Sequence, residues 1–296
     1  MKYIITGSLG HISQPLVTAL VKAGHEAHVI TSNSSRVAAI EALGAKALVG
    51  SLEDTAFVND SFKGADAVYL MIPPTMKVSN WRSYQDKISD NYVAAIKTNN
   101  IKYVVTLSSV GAHMGIGAGP VDGLAYLEQQ LKTLPNVAVK NLRPSYFFYN
   151  LYSMIPLIKN MNIMGSNFGA TDEKLALTST DDIAAAASEE LLALNFTGQT
   201  VRYISTEERT PSEIATVLSA AIGKPGIPWV PFSDEQSLGG MLQAGLPETI
   251  AVGYTTMGKA IRDGEMQKDY WANKPNPTGS LTLEDFAKQF AVAYNQ

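Results

Sequence analysis

Gly7, Gly10 and Ser13 stand three residues apart, between an apolar run at residues 3–6 and a stretch where Leu16, Leu20 and Ala23, flanked by Val17 and Val21, repeat at the helical period. Residues 3–6 are β-branched or aromatic and too few for a helix, so the chain reads here as strand, tight turn and helix N-terminus. Such a turn aims several unpaired backbone N–H groups and the positive end of a helix dipole at one point, where a pyrophosphate can sit. The candidate cradle comprises Thr6, Gly7, Leu9, Gly10, His11 and Ile12. Gly7 permits the sharp turn and Gly10 lets the backbone approach the phosphates. The third small position falls on Ser13, so the spacing is G-x-x-G-x-x-S in place of G-x-G-x-x-G. Pro15 fits a first helical turn, where its missing N–H costs nothing. A second strand at residues 26–31 closes a βαβ unit of the ~30 residues expected for dinucleotide binding. The bland alternative is a turn that only connects two elements.

The nature of a dinucleotide is written just after the second strand. A site for NAD ends that strand with an acid that accepts the ribose hydroxyls, whereas a 2′-phosphate wants neutral donors and an arginine. Here the order is Thr31, Ser32, Asn33, Ser34, Ser35, Arg36, with no acid before Glu41, which favours NADP over NAD. Arg36 either clamps the phosphate by bidentate hydrogen bonds or faces solvent in the first turn of the next helix.

These residues need a scaffold, and the chain supplies one. Strand signals at residues 45–49, 65–72, 102–107 and 137–142 alternate with helical stretches near 34–43, 54–62, 83–99 and 122–134. Alternation of this kind is the mark of a parallel sheet covered on both faces. The expected fold class is therefore α/β, a Rossmann-type doubly wound parallel sheet with a smaller, mostly helical C-terminal lobe. Residues 1–150 would form the dinucleotide-binding domain, with 180–205 returning to it, and 151–179 and 206–296 the substrate lobe. Strand four runs into Met71, Ile72 and Pro73, and strand five into Ser108. Both should face the cofactor, because ligands of open α/β sheets lie outside the carboxyl ends of strands. In the C-terminal part, helices are expected from Thr180, from Thr210 to near Gly223, across most of 234–265, and over 283–294, with a strand at 201–205 and a proline-rich connector at 225–231.

Composition narrows the function. The 296 residues, 46% hydrophobic and 17% charged, describe an ordinary globular protein, and a net charge of −4 argues against binding a phosphate backbone. No direct nucleic-acid partner is expected. The absence of cysteine excludes thiolate chemistry and Cys-ligated metals, and the four scattered histidines form no H-x-x-x-H pair, so no metal is expected. No run approaches the ~18 apolar residues of a membrane span, and the N-terminus starts a strand without an apolar leader. The chain reads as cytoplasmic and unprocessed.

In the order and spacing of its motifs the chain resembles the NmrA-like group of atypical short-chain dehydrogenases. The matching segments are Thr6-Gly-Ser-Leu-Gly-His-Ile-Ser13, Ser108-Ser-Val-Gly111, Leu142-Arg-Pro-Ser-Tyr-Phe-Phe-Tyr-Asn150, Asp181-Asp-Ile-Ala184 and Thr210-Pro-Ser-Glu-Ile-Ala215. The resemblance implies a nicotinamide cofactor and either azoreductase-like or quinone-reductase-like activity, or a catalytically silent redox sensor. It also implies that the strand-three segment Gly50-Ser51-Leu52, often Gly-Asp-Leu in the group, lies near the adenine. Two departures stand out. Tyr126 is followed by Gln130, so the Tyr-x-x-x-Lys pair that lowers a tyrosine pKa is missing, and Leu124 stands where many members carry lysine or histidine ahead of the glutamate matched by Glu128.

The candidate catalytic residues are Ser108, His113 in the glycine-rich loop 111–119, and Tyr126. Tyr146, Phe147 and Phe148, with Tyr149 and Tyr152, form either a pocket for a flat acceptor beside the nicotinamide or part of the core. Two functions stay open. One is a reductase passing hydride from NADPH to a quinone-like or other flat electrophile, a small-molecule partner; the other is a non-enzymatic NADP(H) sensor that reports to a protein partner.

Overall fold

β-branched and aromatic runs of four to seven residues pair side by side in the computed structural model, which describes residues 1–171, 173–275, 279 and 281–296. Residues 172, 276–278 and 280, all within the expected substrate lobe, lie outside the described residues. The first part of the chain is β1 (Lys2–Ile5), α1 (Ser13–Lys22), β2 (Glu26–Thr31), α2 (Val37–Ala42), β3 (Lys46–Val49) and α3 (Thr55–Ser61). It continues through β4 (Ala67–Leu70), α4 (Trp81–Asn99), β5 (Tyr103–Leu107), α5 (Asp122–Leu131) and β6 (Ala138–Pro144). There follow β7 (Tyr146–Phe147), α6 (Met154–Met161), β8 (Met164–Ser166), β9 (Leu175–Thr178), α7 (Thr180–Ala193) and β10 (Gln199–Ile204). The chain ends with β11 (Glu207–Arg209), α8 (Pro211–Ala221), β12 (Trp229–Pro231), α9 (Asp234–Gln243), α10 (Glu248–Arg262), α11 (Lys268–Ala272) and α12 (Leu283–Asn295).

Seven strands form one sheet in the order β10-β6-β5-β4-β1-β2-β3, every pairing parallel. The winding reverses between β1 and β4, and that switch opens a crevice at the carboxyl edge. One sheet face packs its Tyr3, Ile5, Tyr69 and Val105 against Leu16 and Leu20 of α1 and Ile183, Ala187 and Leu191 of α7. The opposite face packs Ile4, Val68, Leu70 and Val104 against Val58 of α3, Ile88, Tyr92 and Ile96 of α4 and Leu127 and Leu131 of α5. Small residues let α7 sit close, and the Tyr3 hydroxyl donates to the Leu191 carbonyl at 2.9 Å. This is the doubly wound Rossmann-type α/β fold.

A third core lies under the C-terminal helices. It joins Phe148, Leu151, Phe168, Leu177, Ile214, Trp229, Tyr270 and Phe286. Two small sheets, β11-β9-β7 and β12-β8, hold this part beside the main one. The proline-rich connector thus ends in a short strand parallel to β8. Among the described residues no helix is long and apolar enough to cross a membrane.

Some boundaries differ from expectation for local reasons. Strand four was expected over 65–72 and covers Ala67–Leu70, because the Met71 amide donates to the Thr6 hydroxyl at 2.7 Å instead of joining the ladder. The helix expected over 122–134 stops at Leu131, and the chain turns through Asn136 at φ 61°. The helix expected from residue 34 opens as a 3₁₀ turn, since Asn33 Oδ1 accepts from the Ser35 amide at 3.0 Å.

Candidate functional site

Gly7 has φ +92°, and a side-chain carbon there would meet Met71 Cγ at 2.8 Å and Ser13 Oγ at 2.9 Å. It is glycine for the turn. Gly10 differs: a side-chain carbon would meet only the Gly7 carbonyl at 3.5 Å, an ordinary contact. Nothing inside the protein requires glycine at residue 10, so its missing side chain leaves room in front of the helix. The turn is tied down on both sides, by Ser13 Oγ donating to the Thr6 carbonyl at 3.1 Å and by Ser8 Oγ donating to Thr31 Oγ1 at 2.9 Å. α1 starts without a side-chain cap and without an acid in its first turn. The amides of Leu9, Gly10, His11, Ile12 and Ser13 donate to no described residue. Unpaired amides at a dipole's positive end, with open space before them, fit the pyrophosphate of a dinucleotide.

A cleft of about 930 Å³ extends from this turn along the carboxyl edge of the sheet. Gly7, Gly10, His11 and Ile12 line it, as do Thr31, Ser32, Ser51, Leu52, Met71, Ile72, Pro73, Ser108, Tyr146 and Phe147. Thr6 lies behind this wall, fully buried, where its hydroxyl holds the Met71 amide; the Tyr92 hydroxyl donates to the Met71 carbonyl at 2.8 Å. Leu9 turns its side chain onto the core packed under α1. Leu52 is held from the back by Asn91 Nδ2, which donates to its carbonyl at 2.8 Å.

Besides Thr6 and Leu9, five of the sequence candidates do not reach the wall. Asn33 uses its side chain to cap the 3₁₀ turn, and Arg36 is exposed beyond it, without an ion pair among the described residues. Phe148 points the other way, 1% exposed and stacked on Phe286 with ring centroids 5.3 Å apart. Alternation along the chain sends Phe147 and Tyr149 to the cleft and Phe148 to the core. His113 is exposed on a 3₁₀ turn outside the cleft. Tyr126 lies on the outer side of α5, where its hydroxyl donates to Asp90 Oδ1 at 2.9 Å. Desolvation and then the Asp90 carboxylate push its phenol up, opposite to the effect of a lysine partner.

Ser108 does line the cleft, but its hydrogen is engaged. The hydroxyl donates to Glu128 Oε1 at 2.5 Å, and Arg143 binds the same carboxylate through Nε at 3.0 Å and Nη2 at 2.6 Å. Glu128 is 3% and Arg143 6% exposed. Arg143 Nη1 donates onward to the Tyr203 hydroxyl at 2.9 Å and Asp269 Oδ2 at 3.0 Å. Tyr203 also bonds Asp269, and burial followed by that carboxylate pushes its phenol up to about 12. A hydroxyl that donates its one proton to Glu128 can only accept on the cleft side.

The far half of the wall escaped the sequence. It consists of Trp81, Gln85 and Ile88 from α4, Leu124 from α5, and Tyr254, Met257 and Ile261 from α10, with Met266 beyond. Both helical sets repeat at three, four or seven residues, a signal present in the sequence. Which surface they face depends on α10 crossing to α4, where Trp81 and Tyr254 sit with ring centroids 5.7 Å apart. Gln85 Nε2 donates to the Pro120 carbonyl at 2.9 Å. Histidine aside, the only charged side chains on the described wall are Glu53 and Lys77.

Known proteins agree with this architecture. An NAD(P)H azoreductase of Xenophilus azovorans is 22% identical over 293 residues, 98% of each chain. The solved triphenylmethane reductase of Citrobacter sp., complexed with NADP(H), superposes with a TM-score of 0.77 at 19% identity, covering 98% of this chain and 100% of that one. An NADPH-dependent quinone oxidoreductase of Escherichia coli gives a TM-score of 0.73 at 19% identity, over 97% and 98% of the two chains. Residues 2–227 match the NmrA-like family along the sheet, the glycine turn and most of the cleft, and the chain belongs to that family.

Proposed function

We propose that the protein is an NAD(P)H-dependent reductase, with NADPH preferred, that passes hydride to a quinone-like or other flat electrophilic acceptor. The observation that carries this is the continuity of one cleft, from uncapped amides at α1 to an aromatic, charge-poor end between α4 and α10. The full-length relative, an NAD(P)H azoreductase, is in line with it. The Leu9–Ser13 amides would hold the pyrophosphate, Thr31 and Ser32 the ribose, Ser51 and Leu52 the adenine side, and residues 71–73, Ser108, Tyr146 and Phe147 the nicotinamide side. Residues 1–150 with 180–205 would thus carry the dinucleotide, and the remaining segments, through α10, would close the acceptor end against α4. When bound, the nicotinamide supplies a hydride.

The chain's own contribution is orientation and exclusion of water. Tyr126 and His113 stand outside the cleft and Ser108 donates to Glu128, so none of the three is placed to deliver a proton. Quinones, azo compounds and flavins tolerate this, since water or a weak donor supplies their protons. The same observation, with Leu124 on the wall, favours a second function, an NADP(H) sensor without turnover. NADPH oxidation measured against quinones, azo dyes and flavins separates the two. Turnover supports the reductase; tight NADPH binding with no turnover on any acceptor supports the sensor.

Cofactor preference rests on the acid-free segment 31–36, whose Arg36 is exposed and free to reach a 2′-phosphate. Arg36→Ala should weaken NADPH by about 1.5–3 kcal/mol, the worth of a charge-assisted hydrogen bond, and leave NADH unaffected. Calorimetric titration of both cofactors measures this, and an unaltered NADPH affinity would remove Arg36 from the site.

A further inference from the structure

Two phenols on the cleft wall keep their hydroxyls unspent. Tyr146 opens β7 and Tyr254 lies in α10; both line the cleft and both are partly buried. Tyr92, Tyr203 and Tyr270 donate their hydroxyl hydrogens to protein acceptors, the Met71 carbonyl, Asp269 and Glu208. The hydroxyls of Tyr146 and Tyr254 bond no described residue, so what they meet must come from the cleft.

Packing between distant segments brings the two together. The Tyr146 ring stands edge-on to Phe168, with centroids 6.1 Å apart at 70°. Asn167, the chain neighbour of Phe168, donates through Nδ2 to the Thr255 carbonyl at 2.8 Å, one residue past Tyr254. α10 lies close there, because a side-chain carbon at Gly258 would collide with Asn167. Burial raises the Tyr146 phenol, and the phenol of Tyr254 raises it further, so the two hydroxyls are near enough to sense each other's charge. Burial raises the Tyr254 phenol as well, and both stay neutral donors.

Their surroundings say what they suit. Trp81 flanks Tyr254, Met257 and Ile261 follow it along the wall, and neither β7 nor α10 places a charged side chain there. Two neutral O–H donors in an apolar frame complement an oxygen that arrives neutral and gains negative charge during reaction, since hydrogen bonds aimed at a developing charge strengthen where water is scarce. A carbonyl oxygen conjugated to a flat ring is such a group. The phenols meet the acceptor because α10 reaches the cleft in the half away from the α1 amides.

We propose that Tyr146 and Tyr254 hold one carbonyl oxygen of the acceptor between their hydroxyls and stabilise the charge that this oxygen gains on reduction, so that the substrate is a ring-conjugated carbonyl compound of the quinone class. The proposal rests on the reductase function argued above. Hydride carries two electrons from NADPH into a new bond with the acceptor; the oxygen bearing the resulting charge takes one proton from water, leaving hydroquinone and NADP⁺. The test uses Tyr146→Phe, Tyr254→Phe and the double variant of the full chain. Steady-state kinetics with 1,4-benzoquinone are run beside calorimetric affinities for NADPH, and for 4-nitrophenolate, a flat ring with an anionic oxygen, on protein saturated with NADP⁺. Each single variant should lose about tenfold in kcat for the quinone and about tenfold in 4-nitrophenolate affinity, with NADPH affinity and melting temperature unchanged. Unchanged kcat and phenolate affinity, weakened NADPH binding, or a lower melting temperature would each overturn the assignment. If no acceptor turns over, the phenolate measurement decides alone: weaker binding by both variants supports the site, and equal binding or none overturns it. A wild-type protein that binds neither NADPH nor NADH overturns the reductase function and this assignment with it, whereas wild-type quinone turnover that the variants match overturns only the roles of Tyr146 and Tyr254.

Discussion

A side-chain carbon at Gly10 would touch nothing closer than the Gly7 carbonyl at 3.5 Å, whereas one at Gly7 would press on Met71 and Ser13 at 2.8 and 2.9 Å. The two glycines should therefore fail differently when replaced. Gly10→Val is expected to leave the urea unfolding curve in place and abolish NADPH binding, because the added methyls fill the space before the α1 amides. Gly7→Val should lose about 1–3 kcal/mol of stability from a side chain held at positive φ, and more where Met71 cannot yield. Unfolding of Gly10→Val would show that this glycine serves the fold. Tyr126 separates the mechanisms at the same scale. With its hydroxyl on Asp90, outside the cleft, Tyr126→Phe should keep quinone reduction within a few-fold. A fall in kcat on the order of 10², the scale of a lost general acid, would restore a conventional tyrosine relay. Phe148 belongs to stability instead: buried against Phe286, it should cost about 3–5 kcal/mol on truncation to alanine.

Four elements meet at one ion pair. Glu128 projects from α5, Arg143 from β6, Tyr203 from β10 and Asp269 from α11, and Ser108 at the end of β5 joins through its hydroxyl. The network carries no chemistry of its own, yet it sets the rotamer of Ser108 and docks α11 on the sheet. Glu128→Gln leaves a buried guanidinium with only part of its partner set, so it should destabilise by about 3–5 kcal/mol in chemical denaturation. Replacing both residues, as Glu128→Gln with Arg143→Met, should recover a good part of that loss, since no buried charge then lacks a partner. A double variant as unstable as the single one would mean that packing, not charge, holds this junction.

The molecule divides its cleft between two sources. The carboxyl edge of the sheet supplies the glycine turn and the strand ends, while α4 and α10 close the far half, Trp81 against Tyr254. Gly119 permits that closure: a side-chain carbon there would collide with the Gly253 carbonyl of α10. If the far half takes the acceptor, Trp81→Ala and Tyr254→Ala should raise KM for a flat acceptor and leave the NADPH affinity unchanged, measured by steady-state kinetics beside calorimetry. Weakened NADPH binding in both variants would place the nicotinamide, not the acceptor, against α10.

Much of this was legible without coordinates. Strand and helix alternation from residue 3 to 142 follows from local periodicity and from glycine and proline punctuation, so the sheet, its winding and the Gly7–Ser13 turn could be read directly. The strand-end residues 71–73 and 108 followed from one topological rule about carboxyl edges, and Tyr146 and Phe147 from the aromatic run past strand six. What the sequence could not determine depends on contacts between distant segments. Alternate residues of one aromatic run part company, Phe147 toward the cleft and Phe148 toward Phe286, only because a helix 138 residues further on packs there. Tyr126 and His113 are plausible acids by residue type alone, and it is the rotation of α5 and the course of the 111–119 loop that place them outside. Tyr146 and Tyr254 lie far apart in the chain, and only the packing of α10 beside Asn167 and Phe168 brings their hydroxyls to one end of the cleft. Local propensity acts over a few residues and is written in their order; a cleft wall is assembled from side chains far apart in the chain, and tertiary packing alone decides which of them meet.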